Sequence, residues 1–205
     1  MKAREILSAI KAGRPVAGDC RRPDVEPLPG IPAYRLTTAA SRPDRTVLFF
    51  HGGGSTGGST FDSLDLCARI ADAAEAEIIS VEYRLAPAHP FPAAVEDALF
   101  AYRHLLTSGY VPERVVPAGL SAGGTLVVSM LLAARDAGLP MPAAGVCLSP
   151  AVDMLFLGDS VIFNQETDWL EPKTLAAMRD AYLPDRDPTD PLASPLYADL
   201  AGLPP

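Results

Sequence analysis

Residues 114–124 read Arg-Val-Val-Pro-Ala-Gly-Leu-Ser-Ala-Gly-Gly, an order that predicts a strand, a tight turn and a helix. The apolar run over 114–118 is typical of a buried strand, and the run over 122–137 is typical of a helix. Between them lies Gly-x-Ser-x-Gly, the pattern of a nucleophile elbow, in which a strained turn projects the serine above a sheet. Serine is also a common helix N-cap, so the pattern alone leaves a purely structural interpretation of Ser121 open.

A second glycine-rich loop lies upstream, where His-Gly-Gly-Gly-Ser-Thr-Gly-Gly occupies residues 51–58 after a predicted strand. Because glycine has no side chain, the backbone amides of this loop are accessible. They suit an oxyanion hole, in which N–H groups converge on one oxygen. Alternatively, Gly52, Gly54 and Gly57 form a dinucleotide fingerprint with Glu82 as the ribose ligand, or the glycines only permit a turn. The serine-containing loop favours the oxyanion-hole interpretation, because a dinucleotide site would leave this second loop without a role.

The rest of the chain alternates strands with helices. Strands are predicted over 46–50, 77–82, 114–118 and 143–148, and helices over 61–76, 93–106 and 122–137. Apolar strands that alternate with helices indicate an α/β fold with a mostly parallel sheet covered on both faces. A leading helix with Ile6, Leu7 and Ile10, strand material near 33–37 and a second helical region over 153–183 are expected outside this alternation.

Composition narrows the class of protein. The chain has 205 residues, a net charge of −8, 48% hydrophobic and 20% charged residues, which suits one globular domain. A negative chain without a basic stripe argues against nucleic acid or an anionic membrane as partner. No apolar run approaches the ~20 residues of a membrane span, and the start lacks an apolar signal core, so we predict a cytoplasmic protein. Cys20, Cys67 and Cys147 are too few and too scattered for a disulfide framework or a zinc site, and we predict no cofactor.

Four stretches together resemble the hormone-sensitive-lipase-like carboxylesterases of the α/β-hydrolase fold. They are His-Gly-Gly-Gly at 51–54, Tyr-Arg-Leu-Ala-Pro-Ala-His-Pro-Phe-Pro-Ala-Ala at 83–94, Gly-Leu-Ser-Ala-Gly-Gly at 119–124 and Asp-Pro-Leu-Ala-Ser-Pro-Leu at 190–196. The resemblance implies that Ser121 is the nucleophile and that the amides of Gly53, Gly54 and Ala122 form the oxyanion hole. It further implies a small helical cap from residues 1–45 and 153–183, and hydrolysis of short, apolar esters through an acyl-serine. Leu120 departs from the family, which usually has aspartate there.

The catalytic base is the component that the sequence does not supply. A serine hydroxyl needs a histidine, oriented by an acid, to remove its proton, and in this fold both follow the serine along the chain. All three histidines, His51, His89 and His104, precede Ser121. We expect His51 to brace the oxyanion loop and the other two to be structural.

The chain is therefore expected to be a single but incomplete α/β-hydrolase domain over residues 1–205, lacking the C-terminal strands. Such a chain would be inactive or nearly inactive alone, and its exposed sheet edge would favour a homodimer or association with its own missing C-terminal segment. The alternative from another class is a non-catalytic or incomplete module that needs a second polypeptide.

Overall fold

Four parallel strands form the centre of the structure, a computed structural model that describes residues 23–205. The strands are β1 (Asp24–Pro27), β2 (Ala33–Thr37), β3 (Arg42–Phe50), β4 (Ala76–Val81), β5 (Val115–Leu120) and β6 (Val146–Leu148). The helices are α1 (Leu64–Ala74), α2 (Ala93–Thr107), α3 (Ala122–Asp136), α4 (Asp159–Phe163) and α5 (Pro172–Tyr182). The sheet order is β1-β2-β4-β3-β5-β6, with β1 and β2 antiparallel to their neighbours.

Both faces of the sheet are covered, because successive side chains of a strand point to opposite faces. In β3, Leu48 and Phe50 pack on the face that carries α2 and α3, whereas Val47 and Phe49 pack on the face that carries α1. Leu48, Phe49 and Phe50 are all completely buried. This arrangement confirms the predicted α/β class and explains the near-continuous apolar strands.

The topology brings the two glycine-rich loops to one end of the sheet. β3 and β5 are parallel neighbours, with Phe50 opposite Gly119, so the loops that follow both strands leave from the same edge. Crevices outside the carboxyl ends of parallel strands are the usual ligand sites of open α/β sheets.

Several element boundaries differ from those expected. The helix predicted over 61–76 starts as a 3₁₀ turn at Phe61–Ser63 and ends at Ala74, because Glu75 adopts a left-handed conformation (φ 51°) and Ala76 already pairs in β4. Strand β3 begins four residues earlier than predicted, and β6 is shorter than the predicted 143–148.

The predicted N-terminal cap segment, residues 1–45, also needs correction. Residues 24–27 and 33–37 pair with the sheet as β1 and β2, and Leu36 is completely buried there. The strand material expected near 33–37 is thus confirmed, but it belongs to the sheet. The expected helix with Ile6, Leu7 and Ile10, and Cys20 with it, lies outside the described residues. None of the helices within residues 23–205 combines the length and apolarity that a membrane crossing requires.

Candidate active site

Ser121 occupies a strained turn between β5 and α3. Its backbone has φ 55° and ψ −121°, a conformation that side-chain-bearing residues rarely adopt. A Cβ on Gly119 would collide with the carbonyl of Gly123, and a Cβ on Gly123 would collide with the carbonyl of Phe50. The glycines therefore let α3 start directly against the end of β3, which leaves Ser121 partly exposed at the carboxyl edge of the sheet.

The first glycine-rich loop lies immediately beside this serine. A Cβ built on Gly52 would be 3.5 Å from the Cβ of Ser121. The next two residues turn with positive φ, 131° at Gly53 and 64° at Gly54. Ala122 is the first residue of α3, where helix amides lack intrahelical acceptors and the helix dipole is positive. The loop that contains Gly53 and Gly54 thus lies next to Ser121 at the start of α3. That Gly53, Gly54, Ser121 and Ala122 together form the site stays a prediction.

His51, the first residue of the glycine-rich loop, is buried, with 1% of its surface exposed. Its Nδ1–H donates to the Gly52 carbonyl at 2.9 Å, and its ring stacks on Tyr83 with the centroids 4.2 Å apart. Burial lowers the pKa of His51, and the hydrogen bond to Gly52 only partly opposes this effect. Nε2 has no hydrogen-bond partner among the described residues. The contacts are those of a residue that braces the loop.

The other two histidines lie away from Ser121. His104 packs under Gly30, where an added Cβ would be 2.9 Å from its Cε1. His89 is exposed in the turn that precedes α2, where its amide donates to the Leu85 carbonyl. Within residues 23–205, none of the three histidines is hydrogen-bonded to Ser121.

Helix α5 covers the glycine-rich loop at Gly54. The Met178 side chain packs directly on Gly54, because a Cβ there would meet its Sδ. One turn later, Tyr182 is buried, its ring lies 5.7 Å from that of Phe91, and its carbonyl accepts from the Phe91 amide at 2.8 Å. The sequence did not single out Met178, since a lone methionine on a weakly patterned helix carries no signal of what it covers.

A separate cleft of about 480 Å³ lies at the opposite end of the sheet. Its charged side chains pair with one another, Arg35 with Glu77 at 3.1 Å and Arg114 with Asp44 at 3.5 Å. Tyr110 closes this network by accepting from Arg35. The cleft contains no activated nucleophile and is remote from Ser121, so we place the candidate active site at the glycine-rich loops.

The dinucleotide hypothesis does not fit this geometry. A dinucleotide fingerprint requires the glycine loop to open directly into a helix. Here α1 begins only at Leu64, well after Gly57. The Glu82 carboxylate, the proposed ribose ligand, instead accepts from the Thr60 amide at 2.6 Å.

A family model for the α/β hydrolase fold matches residues 47–205, which include both glycine-rich loops. The chain belongs to the α/β hydrolase family. Solved structures place this α/β hydrolase in the branch of the hormone-sensitive-lipase-like carboxylesterases. An esterase from the bacterial hormone-sensitive lipase family superposes with a TM-score of 0.89 at 42% identity, over 98% of this chain and 68% of that one. The esterase EstE5, soaked with p-nitrophenyl butyrate, superposes with a TM-score of 0.87 at 36% identity, over 100% and 69%.

Curated relatives of this α/β hydrolase are also named as ester-cleaving enzymes. An acetyl-hydrolase of Streptomyces hygroscopicus is 46% identical over 81% of this chain and 56% of its own length. An esterase of Acinetobacter venetianus is 33% identical over 87% of this chain and 59% of its own length. The chain thus spans less than two thirds of the length of both relatives.

Proposed function

We propose that the protein is a serine carboxylic-ester hydrolase that cleaves short, apolar esters at Ser121. The observation that carries this proposal is the juxtaposition of a strained serine at the start of α3 with the glycine-rich loop, where a Cβ added to Gly52 would lie 3.5 Å from the Ser121 Cβ. Together they supply a nucleophile and backbone donors on one side of a bound carbonyl, which is the arrangement that acyl transfer requires.

The reaction follows from the positions of these groups. Ser121 Oγ attacks the ester carbon while its proton passes to a base, and the carbonyl π electrons move onto the oxygen. The amides of Gly53, Gly54 and Ala122 stabilise that oxyanion, supported by the positive end of α3. Collapse of the tetrahedral intermediate breaks the ester C–O bond, and the alcohol leaves with the proton. Water then attacks the acyl-serine by the same sequence and releases the acid.

The base must come from a group other than the three histidines in their present positions. His51 is buried and engaged with Gly52, and His89 and His104 lie elsewhere. We therefore propose that the 205-residue chain alone is a very poor esterase. Serine hydrolases without their triad retain about 10³–10⁴-fold catalysis over water but lose up to ~10⁶ in turnover.

The proposed substrate class rests on the cap and on the relatives. Met178 covers Gly54, so it limits the space above the oxyanion loop. A similar protein is named an acetyl-hydrolase, and a similar esterase was soaked with p-nitrophenyl butyrate. Together these favour acyl groups between acetyl and butyryl. We propose residues 153–183, which include α4 and α5, as the cap over that site.

Hydrolysis of p-nitrophenyl acetate and butyrate tests the proposal directly. The protein produced from its complete coding sequence is compared with its Ser121→Ala variant, with Ser108→Ala as a control at an exposed serine at the end of α2. We expect loss of turnover only in Ser121→Ala. Turnover that survives this substitution would show that another group is the nucleophile.

A second candidate is a non-catalytic or incomplete module that binds a second polypeptide. It is favoured by the absence of a histidine at Ser121 within residues 23–205 and by the open edge of the sheet at β6, where Val146 is 42% exposed. Intact mass and analysis of co-purifying polypeptides distinguish it from the esterase. A protein that carries no second chain and hydrolyses esters excludes the module.

A further inference from the structure

The glycine-rich loop over residues 51–60 depends on outside contacts for its shape. Gly53, Gly54, Ser55 and Gly58 all have positive φ. The backbone–backbone hydrogen bonds within the loop both end on the Gly53 carbonyl, at 3.1 and 3.2 Å, and the side chains of His51 and Thr56 donate to the Gly52 and Gly53 carbonyls at 2.9 and 3.3 Å. A loop with this much glycine samples many conformations unless neighbouring groups select one. The direction of the Gly53 and Gly54 amides therefore depends on what holds the loop at its ends.

Tyr83, two residues after the end of β4, holds the beginning of this loop. The Tyr83 hydroxyl donates to the His51 carbonyl at 2.7 Å, and its ring stacks on the His51 imidazole at an interplanar angle of 14°. Tyr83 is 3% exposed. One side chain thus fixes both the backbone and the ring of the residue that precedes the three glycines.

Glu82, directly after β4, and Ser80 within it hold the far end of the loop at Thr60. The Glu82 carboxylate accepts from the Thr60 amide at 2.6 Å, a short bond of the charge-assisted kind. A buried hydrogen bond of 2.8 Å joins the hydroxyls of Thr60 and Ser80. Thr60 and Ser80 are both completely buried, so this end is fixed in a dry environment.

The chain after Tyr83 is itself anchored. Ala86 donates to the Ser55 carbonyl at 2.9 Å, a third contact with the loop. Arg84, between these positions, binds Asp97 of α2 through its backbone amide at 2.8 Å and its guanidinium at 3.0 Å. The loop is therefore held against a segment that α2 keeps in place.

We propose that Glu82 and Tyr83 are positioning residues for the oxyanion hole, which hold the glycine-rich loop at Thr60 and at His51 so that the Gly53 and Gly54 amides face the bound carbonyl. This inference rests on the proposed function, because it assigns the same two amides to the oxyanion. Neither residue touches the reacting atoms. Their effect is exerted on backbone direction, and so on the transition state more than on the bound ester.

Substitutions can remove the hydrogen bonds of Glu82 and of Tyr83 one at a time. Glu82→Ala removes the acceptor for the Thr60 amide, whereas Glu82→Gln keeps an oxygen acceptor without the charge. Tyr83→Phe removes only the hydroxyl and keeps the ring that stacks on His51. Glu96→Ala is the matched control, because Glu96 is an exposed carboxylate that pairs with Arg84 on the far side of the same segment.

The test measures kcat and KM for p-nitrophenyl acetate in these variants of the protein produced from its complete coding sequence. We expect Glu82→Ala and Tyr83→Phe to lower kcat by about ten- to a hundredfold with KM nearly unchanged, less than loss of a complete donor. Glu82→Gln should stay within about threefold of the wild type, since it restores the hydrogen bond. Glu96→Ala should leave both constants unchanged.

Amide hydrogen exchange of the 205-residue chain gives a readout that needs no activity. We expect faster exchange in the peptide containing Thr60 in Glu82→Ala, with protection restored in Glu82→Gln. If Glu82→Ala does not fold, Tyr83→Phe and Glu82→Gln carry the test. An active wild type whose kcat is unaffected by Glu82→Ala, or lowered as much by Gln as by Ala, overturns this inference alone. A wild type without esterase activity overturns it together with the proposed function.

Discussion

Gly53 contributes to the proposed oxyanion hole through its backbone alone. Its φ is 131°, and an added Cβ would collide with the Gly57 carbonyl. We expect Gly53→Ala to lower kcat by about 10²–10³, because the loop must shift and misdirect one donor. The strain should also cost about 1–3 kcal/mol of unfolding free energy. Ester kinetics and urea denaturation measure the two effects.

Gly57 provides the control for this prediction. It lies in the same loop, but a Cβ there would meet nothing within 4 Å. Gly57→Ala should therefore keep wild-type turnover. Equal turnover in both alanine variants would show that the loop is only a turn.

His51 should make stability depend on pH in the acidic range. Burial lowers its pKa in the folded protein, so the unfolded chain binds the proton more readily and stability falls as pH drops below about 6.5. The loss attributable to His51 is at most about 1.4 kcal/mol per pH unit. Urea denaturation at pH 7, 6 and 5 should show a steeper loss in the wild type than in His51→Asn, whose amide still reaches Gly52. Parallel curves for the two proteins would contradict the assignment.

At the scale of elements, α5 determines how much room lies above the oxyanion loop. Met178→Ala removes the side chain that packs on Gly54. We expect the ratio of kcat/KM for p-nitrophenyl hexanoate to that for acetate to rise by about three- to tenfold, the effect of a few methylenes in an apolar pocket.

Met141→Ala is the matched control for α5. It removes the same atoms from a methionine near the start of β6, at the end of the sheet opposite Ser121. Its acyl preference should equal that of the wild type. An unchanged ratio in Met178→Ala would place the acyl group elsewhere.

The sequence alone predicted correctly those elements whose pattern is local. The alternation of apolar strands with helices predicted the parallel centre of the sheet, and the glycine pattern around Ser121 predicted the turn. It did not predict the placement of β1 and β2 in the sheet, because β1 pairs only with β2, and the antiparallel pairing of β2 with β4 is a long-range contact. The sequence also did not reveal that Glu82, Tyr83 and Met178 contact the glycine-rich loop, since these side chains meet it only after folding.

For the molecule as a whole, we expect association to occur at the edge of the sheet at β6. β6 is the last strand in the sheet order, and Val146 is 42% exposed on it. Unpaired strand edges with apolar side chains favour pairing with another chain. We expect the 205-residue chain to form dimers or larger species by light scattering, and Val146→Lys to reduce them.

Val111→Lys is the control for association, because Val111 is similarly exposed, at 48%, but lies before a 3₁₀ turn and not on an edge strand. It should leave the size distribution unchanged. A wild-type chain that stays monomeric at high concentration would show that the edge at β6 does not drive association.

Covalent labelling identifies the nucleophilic serine without relying on turnover. The protein from its complete coding sequence is treated with a fluorophosphonate and digested, and the modified peptide is located by mass spectrometry. We expect one phosphonylated residue, Ser121, with labelling abolished in Ser121→Ala and much weaker in the 205-residue chain. Labelling at another residue, or undiminished labelling of Ser121→Ala, would contradict this expectation.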